Sequence, residues 1–575
     1  MNPAAEPATR RQYPRWLAPT GLVLLAIAAS ISGIANQFAQ DDFAIIWKNQ
    51  AVHHLGHALR FFAEPYWPKP FTPDLYRPLA LLSYAVQWAG GGGGALTFRI
   101  VSYLLYAVTC LAMFRVARLT LPLAAAFGAA ALFAVHPVHV EAVAVAVNQG
   151  ELWVGLLSCI AVFRYVTARR AGGALSIKTT LGIGALYLVG CFFKENALVL
   201  PGLLAAAELF LVPEGEPLRV RVRQVRFLYL FLVMLAIAFL SVRTAVLGGS
   251  VRGTAIAEAL APQGVWGRLL TMLTVVPEWV RLLLWPAHLQ GDYSPQEIPG
   301  QNTWITADTL GALLLVAAVI AAVAARRRAP AITFGLAWMA VALFPVHNVL
   351  VPTGIVLAER TLLLPSIGAM IALGGLGALL VERESAIRPW LAVLTSLLLI
   401  LGVYRSTTRH PVWSDQFNYW YMTANYDAPN SYRAHHALAE MYVLARADGR
   451  AEQEFRLSIA LAPPYVSTVY LDYANRLRLK GFCYPAVDLY RKSLAISTNN
   501  QPVRASLVAC LIYLGMYQEA RREIAIGRAS GEEPATWHML GQTADSALKA
   551  GAAVGSVHLT LPSDTTNALK TGITP

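Results

Sequence analysis

The alternation of apolar and polar segments divides the chain in two. From Trp16 to about Tyr404 it runs as apolar stretches of about 15–22 residues joined by polar links. From Arg405 on, no stretch is long and apolar enough to span a bilayer. The clear stretches fall at roughly 16–37, 100–114, 119–135, 152–167, 179–193, 196–213, 227–247, 303–325, 331–346, 362–381 and 389–404. They predict an all-α fold, with a cytoplasmic tail over 1–15 and a polytopic membrane domain of about 11 transmembrane helices over 16–404. Segment 78–90 is short enough to be interfacial. Segment 265–287 carries Arg268, Glu278 and Arg281, so it is expected to lie in the interface or re-enter. The first stretch follows Arg10, Arg11 and Arg15 as a signal peptide would. The polytopic remainder favours an uncleaved first helix.

The second part is repetitive. Gly481, Ala486 and Tyr490 recur as Gly515, Ala520 and Ile524, an offset of 34 residues. A half-repeat opens at Trp537-x-x-Leu540-Gly541, and a degenerate copy covers about 431–463. This period, with small residues at these offsets, is the tetratricopeptide pattern of helix pairs that bury their faces by stacking on one another. A tetratricopeptide α-solenoid is therefore expected over 405–550, followed by a Thr/Ser/Gly-rich disordered tail over 551–575.

Composition agrees. Of 575 residues, 56% are hydrophobic and only 14% charged, too little polar surface to clothe a soluble protein. The formal charge of +13 would by itself suggest nucleic acid. Its basic clusters instead punctuate the apolar stretches: Arg10/Arg11/Arg15, Arg115/Arg118, Arg164/Arg169/Arg170, Arg219/Arg221/Arg223/Arg226, Arg326/Arg327/Arg328 and Arg383/Arg388. Such clusters mark cytoplasmic ends, and no nucleic-acid partner is expected. One alternating path accommodates all six if 265–287 does not cross. The long loop 38–77, the loops near 136–150, 194–196, 248–302 and 347–361, and the repeats then share the non-cytoplasmic face of a multi-pass protein in a bacterial inner membrane or its equivalent. Five scattered cysteines show no ligand spacing or disulfide framework. No Walker loop or H-E-x-x-H is present. Gly90–Gly94 has no lysine after it and reads as a flexible joint.

Candidate chemistry gathers on that face. Asp41-Asp42 follows the first helix; it is a solvated loop start or, if desolvated and positioned, a general base. Tyr76-Arg77-Pro78 closes the same loop, with Arg77 either snorkelling or forking a phosphate. His136-Pro137-Val138-His139-Val140-Glu141 ends a helix, and its His-x-Glu spacing lacks an obvious third metal ligand. No cofactor is assigned, and the ligand spacing implies no metal, although a divalent ion is left open. Lys194-Glu195 and Glu359-Arg360 are a structural charge pair or a phosphate partner at the mouth of their helices, and Asp292 sits in Asp292-Tyr293-Ser294. Charges at helix ends rather than mid-span argue against a transporter.

In order, Asp41–Ile46, Tyr76–Leu79, His136–Val143, Lys194–Pro201, Leu289–Ser294 and Ala358–Gly368, followed by the repeats, resemble the transmembrane and tetratricopeptide-containing (TMTC-type) glycosyltransferases. These belong to the GT-C superfamily and are related to protein O-mannosyltransferases. The resemblance implies a GT-C-like membrane domain and a hexosyl transfer, with mannose the candidate sugar. The donor is carried on a polyprenyl phosphate, and the acceptor is a Ser or Thr hydroxyl of an exported protein. Carried over, Asp41 or Asp42 is the base and Glu141 orients donor or acceptor. Tyr76, Arg77, His136, His139, Lys194, Glu195, Asp292, Glu359 and Arg360 line the substrate site. The repeats would bind the acceptor protein or a partner. Phe98-Arg99-Ile100-Val101-Ser102, Asn148-Gln149-Gly150-Glu151 and Ala358-Glu359-Arg360-Thr361 depart from the family pattern, the second by loss of an arginine. Two other classes compete: an O-antigen ligase or polymerase acting on a glycan acceptor, and a membrane-anchored repeat scaffold without catalysis.

Overall fold

The computed structural model describes residues 14–69, 71, 74–213, 215–249 and 256–561. Arg10, Arg11, residues 1–13 of the expected first tail and residues 562–575 of the last lie outside them. Each apolar stretch forms a helix: α1 (Leu17–Ser30), α2 (Pro78–Gly91), α3 (Ala95–Ala117), α4 (Leu123–Ala134), the short α5 (Val140–Ala144), α6 (Gln149–Arg170), α7 (Ile177–Phe193), α8 (Leu200–Phe210), α9 (Leu218–Val246), α10 (Val265–Leu284), α11 (Thr306–Ala325), α12 (Pro330–Leu343), α13 (Leu363–Arg383) and α14 (Arg388–Arg409). No strand occurs among the described residues.

Local chemistry sets the breaks. Pro78 opens α2, where a missing N–H costs nothing, and Gly92 closes it at φ 59°. The chain bends by 47° between α4 and the turn Pro137–Ala144, because Pro137 interrupts the ladder there. That bend turns Glu141 inward.

By length and composition, six of the described helices can cross a membrane: α3, α6, α9, α11, α13 and α14, several with an adjoining turn. The α4–α5 pair makes a seventh if counted as one broken span, and α1, α7 and α12 are shorter apolar helices. The expectation of about 11 spans thus included helices shorter than a bilayer's thickness; α8 has 11 residues. Segment 265–287 forms α10 and is not among those that meet the criterion. The apolar windows of α3 and α6 are each 67% buried, against 22% for α9, 11% for α11 and 6% for α14. The first two form the centre and the last three offer apolar flanks to lipid.

Gly335 of α12 and Gly368 of α13 face each other. A Cβ on either would fall on the other's carbonyl oxygen, the close backbone approach that small residues permit between membrane helices. Gly368→Ala is therefore expected to force these helices apart and cost about 1–3 kcal/mol. A lower thermal midpoint of the detergent-solubilised chain would show it, and an unchanged midpoint would refute the close-contact account.

The two ends of the bundle differ. At one end Glu208 of α8 accepts from Arg169 (Nη2, 3.0 Å), Arg221 (Nε, 3.0 Å) and Tyr165 (2.7 Å). Two of the basic clusters therefore converge on one carboxylate. The opposite end carries the charged motifs, as α6 illustrates with Glu151 in its first turn and Arg169 and Arg170 in its last.

Helix α14 runs through the expected boundary at 404 to Arg409. α15 (Gln416–Met422) follows, then a helical solenoid of α16 (Tyr432–Leu444), α17 (Asp448–Leu461), α18 (Thr468–Leu479), α19 (Cys483–Ile496), α20 (Gln501–Tyr513), α21 (Tyr517–Ala529) and α22 (Pro534–Ala550). Gly481 and Gly515 recur because both connections need positive φ, 82° and 74°. The expected disorder after 551 does not hold for its first part. Leu561 is buried against the last helix pairs, the Gly555 N–H donates to the Tyr513 carbonyl (2.8 Å), and Arg478 donates to the Leu559 carbonyl (3.2 Å). Apolar residues at alternate positions (Val557, Leu559, Leu561) explain why this segment packs.

Candidate active site

The two aspartates of the first loop occupy different environments. Asp42 is fully buried. Its carboxylate accepts from the backbone N–H groups of Val147 (2.8 Å) and Ala146 (3.1 Å) and lies 3.5 Å from Arg99 Nη2. Burial pushes its carboxyl up to about 6, while Arg99 and the two N–H groups pull it down. Arg99, also fully buried, donates in addition to the carbonyls of Asn36, Gln37 and Ala144. Asp42 and Arg99 thus tie the loop after α1 to the turn before α6.

The Asp41 carboxylate has no hydrogen-bond partner among the described residues. It lies where two cavities meet. Burial raises its carboxyl above the ordinary value; Arg360 opposes this, Glu141 adds to it, and Arg77 and Lys194 oppose it more weakly.

The first cavity, about 450 Å³, is lined by Glu141, Asp292, Tyr293 and Arg360 and roofed by Gln416, Tyr419 and Trp420 of α15 and Arg433 of α16. The second, about 350 Å³, holds Arg77, Lys194 and Arg360 with Glu195, Asp74 and Tyr66. Asp41, Trp67 and Arg360 belong to both.

Each cation of the second cavity is fixed by a carboxylate. Arg77 forks onto Glu195 (Nε–Oε2 2.9 Å, Nη2–Oε1 2.6 Å) and lies over the Tyr66 ring at 5.1 Å. Burial works against charge on Glu195, yet the Arg77 fork holds it down to about 2. Lys194 Nζ lies 2.6 Å from Glu151 Oε1. Burial lowers the Lys194 ammonium against the pull of Glu151. Glu141 is held by the Arg360 guanidinium and by the Arg360 N–H at 2.8 Å. Arg77 Nη1 and the remaining Arg360 nitrogens keep donors unused by protein among the described residues, so an anion in this cavity has N–H groups to meet.

Of the other expected site residues, Asp292 lines the first cavity, while Tyr76, His136, His139 and Glu359 line neither. Tyr76 is buried and donates to the Phe62 carbonyl (2.9 Å). His139 hydrogen-bonds with Tyr106 and Ser366, both at 2.8 Å, and His136 with the Leu283 carbonyl at 3.0 Å. These three brace helices and line neither cavity. Glu359 accepts from the Gln290 N–H (2.5 Å) and from Tyr293 (3.2 Å), anchoring the loop before Asp292. Asp292 accepts from Ser431 (2.6 Å) and pairs with Arg433 of α16. No group of three His, Cys, Asp or Glu able to hold a metal ion occurs among the described residues.

Several participants escaped the sequence reading. Arg99 carried a signal, a lone charge early in an apolar stretch. Glu151, which the sequence shows only as part of the departing stretch Asn148–Glu151, is the partner of Lys194. Trp67, Tyr419, Trp420 and Arg433 carried none, since only folding brings α15 and α16 over the cavity.

The fold and the site define a polytopic helical membrane protein with a charged double cavity at one end of its bundle, closed over by a helical solenoid. Sequence comparison agrees. The chain is 22% identical to the protein O-mannosyl-transferase TMTC3 of Mus musculus, over 80% of this chain and 58% of that protein. It is 25% identical to the protein O-mannosyl-transferase Tmtc1 of Drosophila melanogaster, over 75% and 60%. With Tmtc2 of the same fly it shares 31% identity over 48% of this chain and 30% of that protein. The chain is a relative of the TMTC-type proteins, and it spans less than two thirds of the length of each of these three. No family model and no solved structure matches.

Proposed function

We propose that the chain transfers a sugar, with mannose the candidate, from a polyprenyl-phosphate carrier to a Ser or Thr hydroxyl of an exported protein on the non-cytoplasmic face. The observation that carries this reading is the placement of Asp41. It is a partly buried carboxylate whose oxygens have no hydrogen-bond partner among the described residues, at the junction of a cation-lined cavity and one roofed by α15 and α16. The relatives are named protein O-mannosyl-transferases, which supports the sugar and the protein acceptor of this reading. A non-catalytic scaffold has no use for an unpaired carboxylate set beside Arg77, Lys194 and Arg360 at the meeting of two cavities.

In the proposed step Asp41 accepts the proton of the acceptor hydroxyl as its oxygen attacks the anomeric carbon. The bond from that carbon to the phosphate oxygen breaks, and the lipid phosphate leaves with the electron pair. Displacement from the opposite face inverts the anomeric configuration. Burial makes Asp41 a stronger base than a solvated aspartate. The free donors of Arg77 and Arg360, with the Lys194 ammonium, meet the charge that grows on the leaving phosphate. Glu141 holds Arg360 in place through two contacts.

The test is transfer of radiolabelled mannose from polyprenyl-phosphate mannose to Ser/Thr peptides by the purified full chain. Replacing the buried pair together, Lys194→Met with Glu151→Gln, removes a cation without stranding a charge. The donor KM is expected to rise roughly 10- to 100-fold, the loss of one charge-assisted hydrogen bond. An unaltered donor KM would remove Lys194 from the phosphate site. Transfer only to a lipid-linked glycan would favour the ligase reading.

A further inference from the structure

Asp41 is presented by a residue in an unfavourable conformation. Gln40 has φ 54°, in the left-handed region, where a residue with a Cβ costs roughly 1–2 kcal/mol. The position holds neither glycine nor asparagine, which enter this region most easily, and it lies in a turn where the Asp42 N–H donates to the Ala39 carbonyl at 3.2 Å. Such a conformation persists only where surrounding structure over-determines it.

Beyond that turn, the surroundings that hold it belong to the segment after α14. The Gln40 N–H donates to Gln416 Oε1 at 2.5 Å, and its Nε2 donates to Tyr419 Oη at 3.2 Å. Tyr419 Oη in turn donates to the Gly291 carbonyl at 2.7 Å. Three residues earlier, the Gln37 N–H donates to the Ser414 carbonyl at 2.7 Å. The supports are themselves rigid. Tyr419 is fully buried and stacks on Trp413 with ring centroids 4.5 Å apart, and Asp415 caps α15 through the Asn418 N–H at 2.9 Å. Gly291 allows the approach, because a Cβ there would meet Thr423 Oγ1 at 2.5 Å.

We infer that Gln416 and Tyr419 are positioning residues for the reaction: α15 clamps Gln40 in its left-handed conformation and so aims the Asp41 carboxylate at the junction of the two cavities. The inference rests on the reading of Asp41 as the base. It makes the first helix after the membrane domain a working part of the catalytic centre, acting through Gln40. Released from α15, Gln40 relaxes toward negative φ and the following carboxylate swings off the junction.

The experiment uses the full chain in detergent or nanodiscs. Gln416→Ala and the milder Tyr419→Phe are expected to lower kcat for mannosyl transfer by tenfold or more, with the donor KM within twofold of wild type. Amide hydrogen exchange over residues 38–47 is expected to accelerate in the same variants. Adding Gln40→Asn to Gln416→Ala should restore kcat at least threefold, because asparagine enters the left-handed region more readily than glutamine; simple loss of packing would not be rescued in this way. Unchanged kcat and unchanged exchange in both single variants would overturn the inference, as would a kcat loss that Gln40→Asn leaves untouched. Failure of the base reading looks different: Asp41→Asn would then transfer at the wild-type rate, while exchange at 38–47 still reports whether α15 holds the loop.

Discussion

Replacing Asp41 by Asn is expected to slow sugar transfer by a factor on the order of 10² to 10⁴, the usual worth of a general base, with donor binding almost unchanged. Asparagine keeps the volume and cannot take the proton. Since the Asp41 carboxylate makes no hydrogen bond to protein among the described residues, the variant should fold as the wild type does. The pH profile provides the sharper check. Burial, opposed in part by Arg360, raises the Asp41 carboxyl above its ordinary 3.8. The base works only when deprotonated, so the acid limb of kcat/KM should lie above the usual carboxylate range and vanish in Asp41→Asn. The sign of the linkage separates titration from unfolding. A raised carboxyl binds its proton more tightly in the folded chain than in the unfolded one, so through Asp41 acidification stabilises the fold. Turnover should therefore fall across that limb with no drop in thermal midpoint attributable to Asp41. Wild-type turnover in Asp41→Asn, or a limb at or below the ordinary carboxylate value, would remove the assignment.

The neighbouring aspartate should behave in the opposite way. Asp42→Ala strands the Arg99 charge in the interior together with the N–H groups of Ala146 and Val147. Breaking a buried pair from one side costs about 3–5 kcal/mol, so a large fall in thermal midpoint or loss of the folded chain is expected. Removing both charges, as Asp42→Ala with Arg99→Met, should recover part of that loss, because the stranded charge is gone while the two N–H groups still lack a partner. A thermal midpoint for Asp42→Ala equal to wild type would show that the pair carries no such weight.

Adjacent residues with such different expected effects show where sequence reading stops. Periodicity placed the helices, because a bilayer imposes segment length and polarity directly on sequence. Glycine spacing placed the repeat connections, because positive φ at Gly481 and Gly515 is a local demand. Charges at helix ends put Arg77, Lys194, Glu141 and Arg360 on one face, and the fold gathers them around the two cavities. Sequence had no means to tell Asp41 from Asp42, since the distinction comes from the turn at 146–147, a hundred residues away in the chain. The histidines part from Glu141 for a related reason: His-x-Glu puts His139 and Glu141 close in sequence, but the bend after α4 sends His139 between helices and Glu141 to the cavity. Extending the membrane domain only to 404 reflected loss of apolar character at Arg405, whereas the helix ends five residues later at Arg409.

A shared wall between two cavities has a consequence for inhibitor design. Compounds confined to the cation-lined cavity and compounds confined to the roofed one would each meet Asp41, Trp67 and Arg360 from one side. Joining two such weak ligands through a short bridge across that waist turns the second contact into an intramolecular one, at an effective concentration of order millimolar for short flexible linkers. The gain depends on the bridge being short enough to pass Asp41, so the dependence of affinity on linker length would measure the width of the passage in solution.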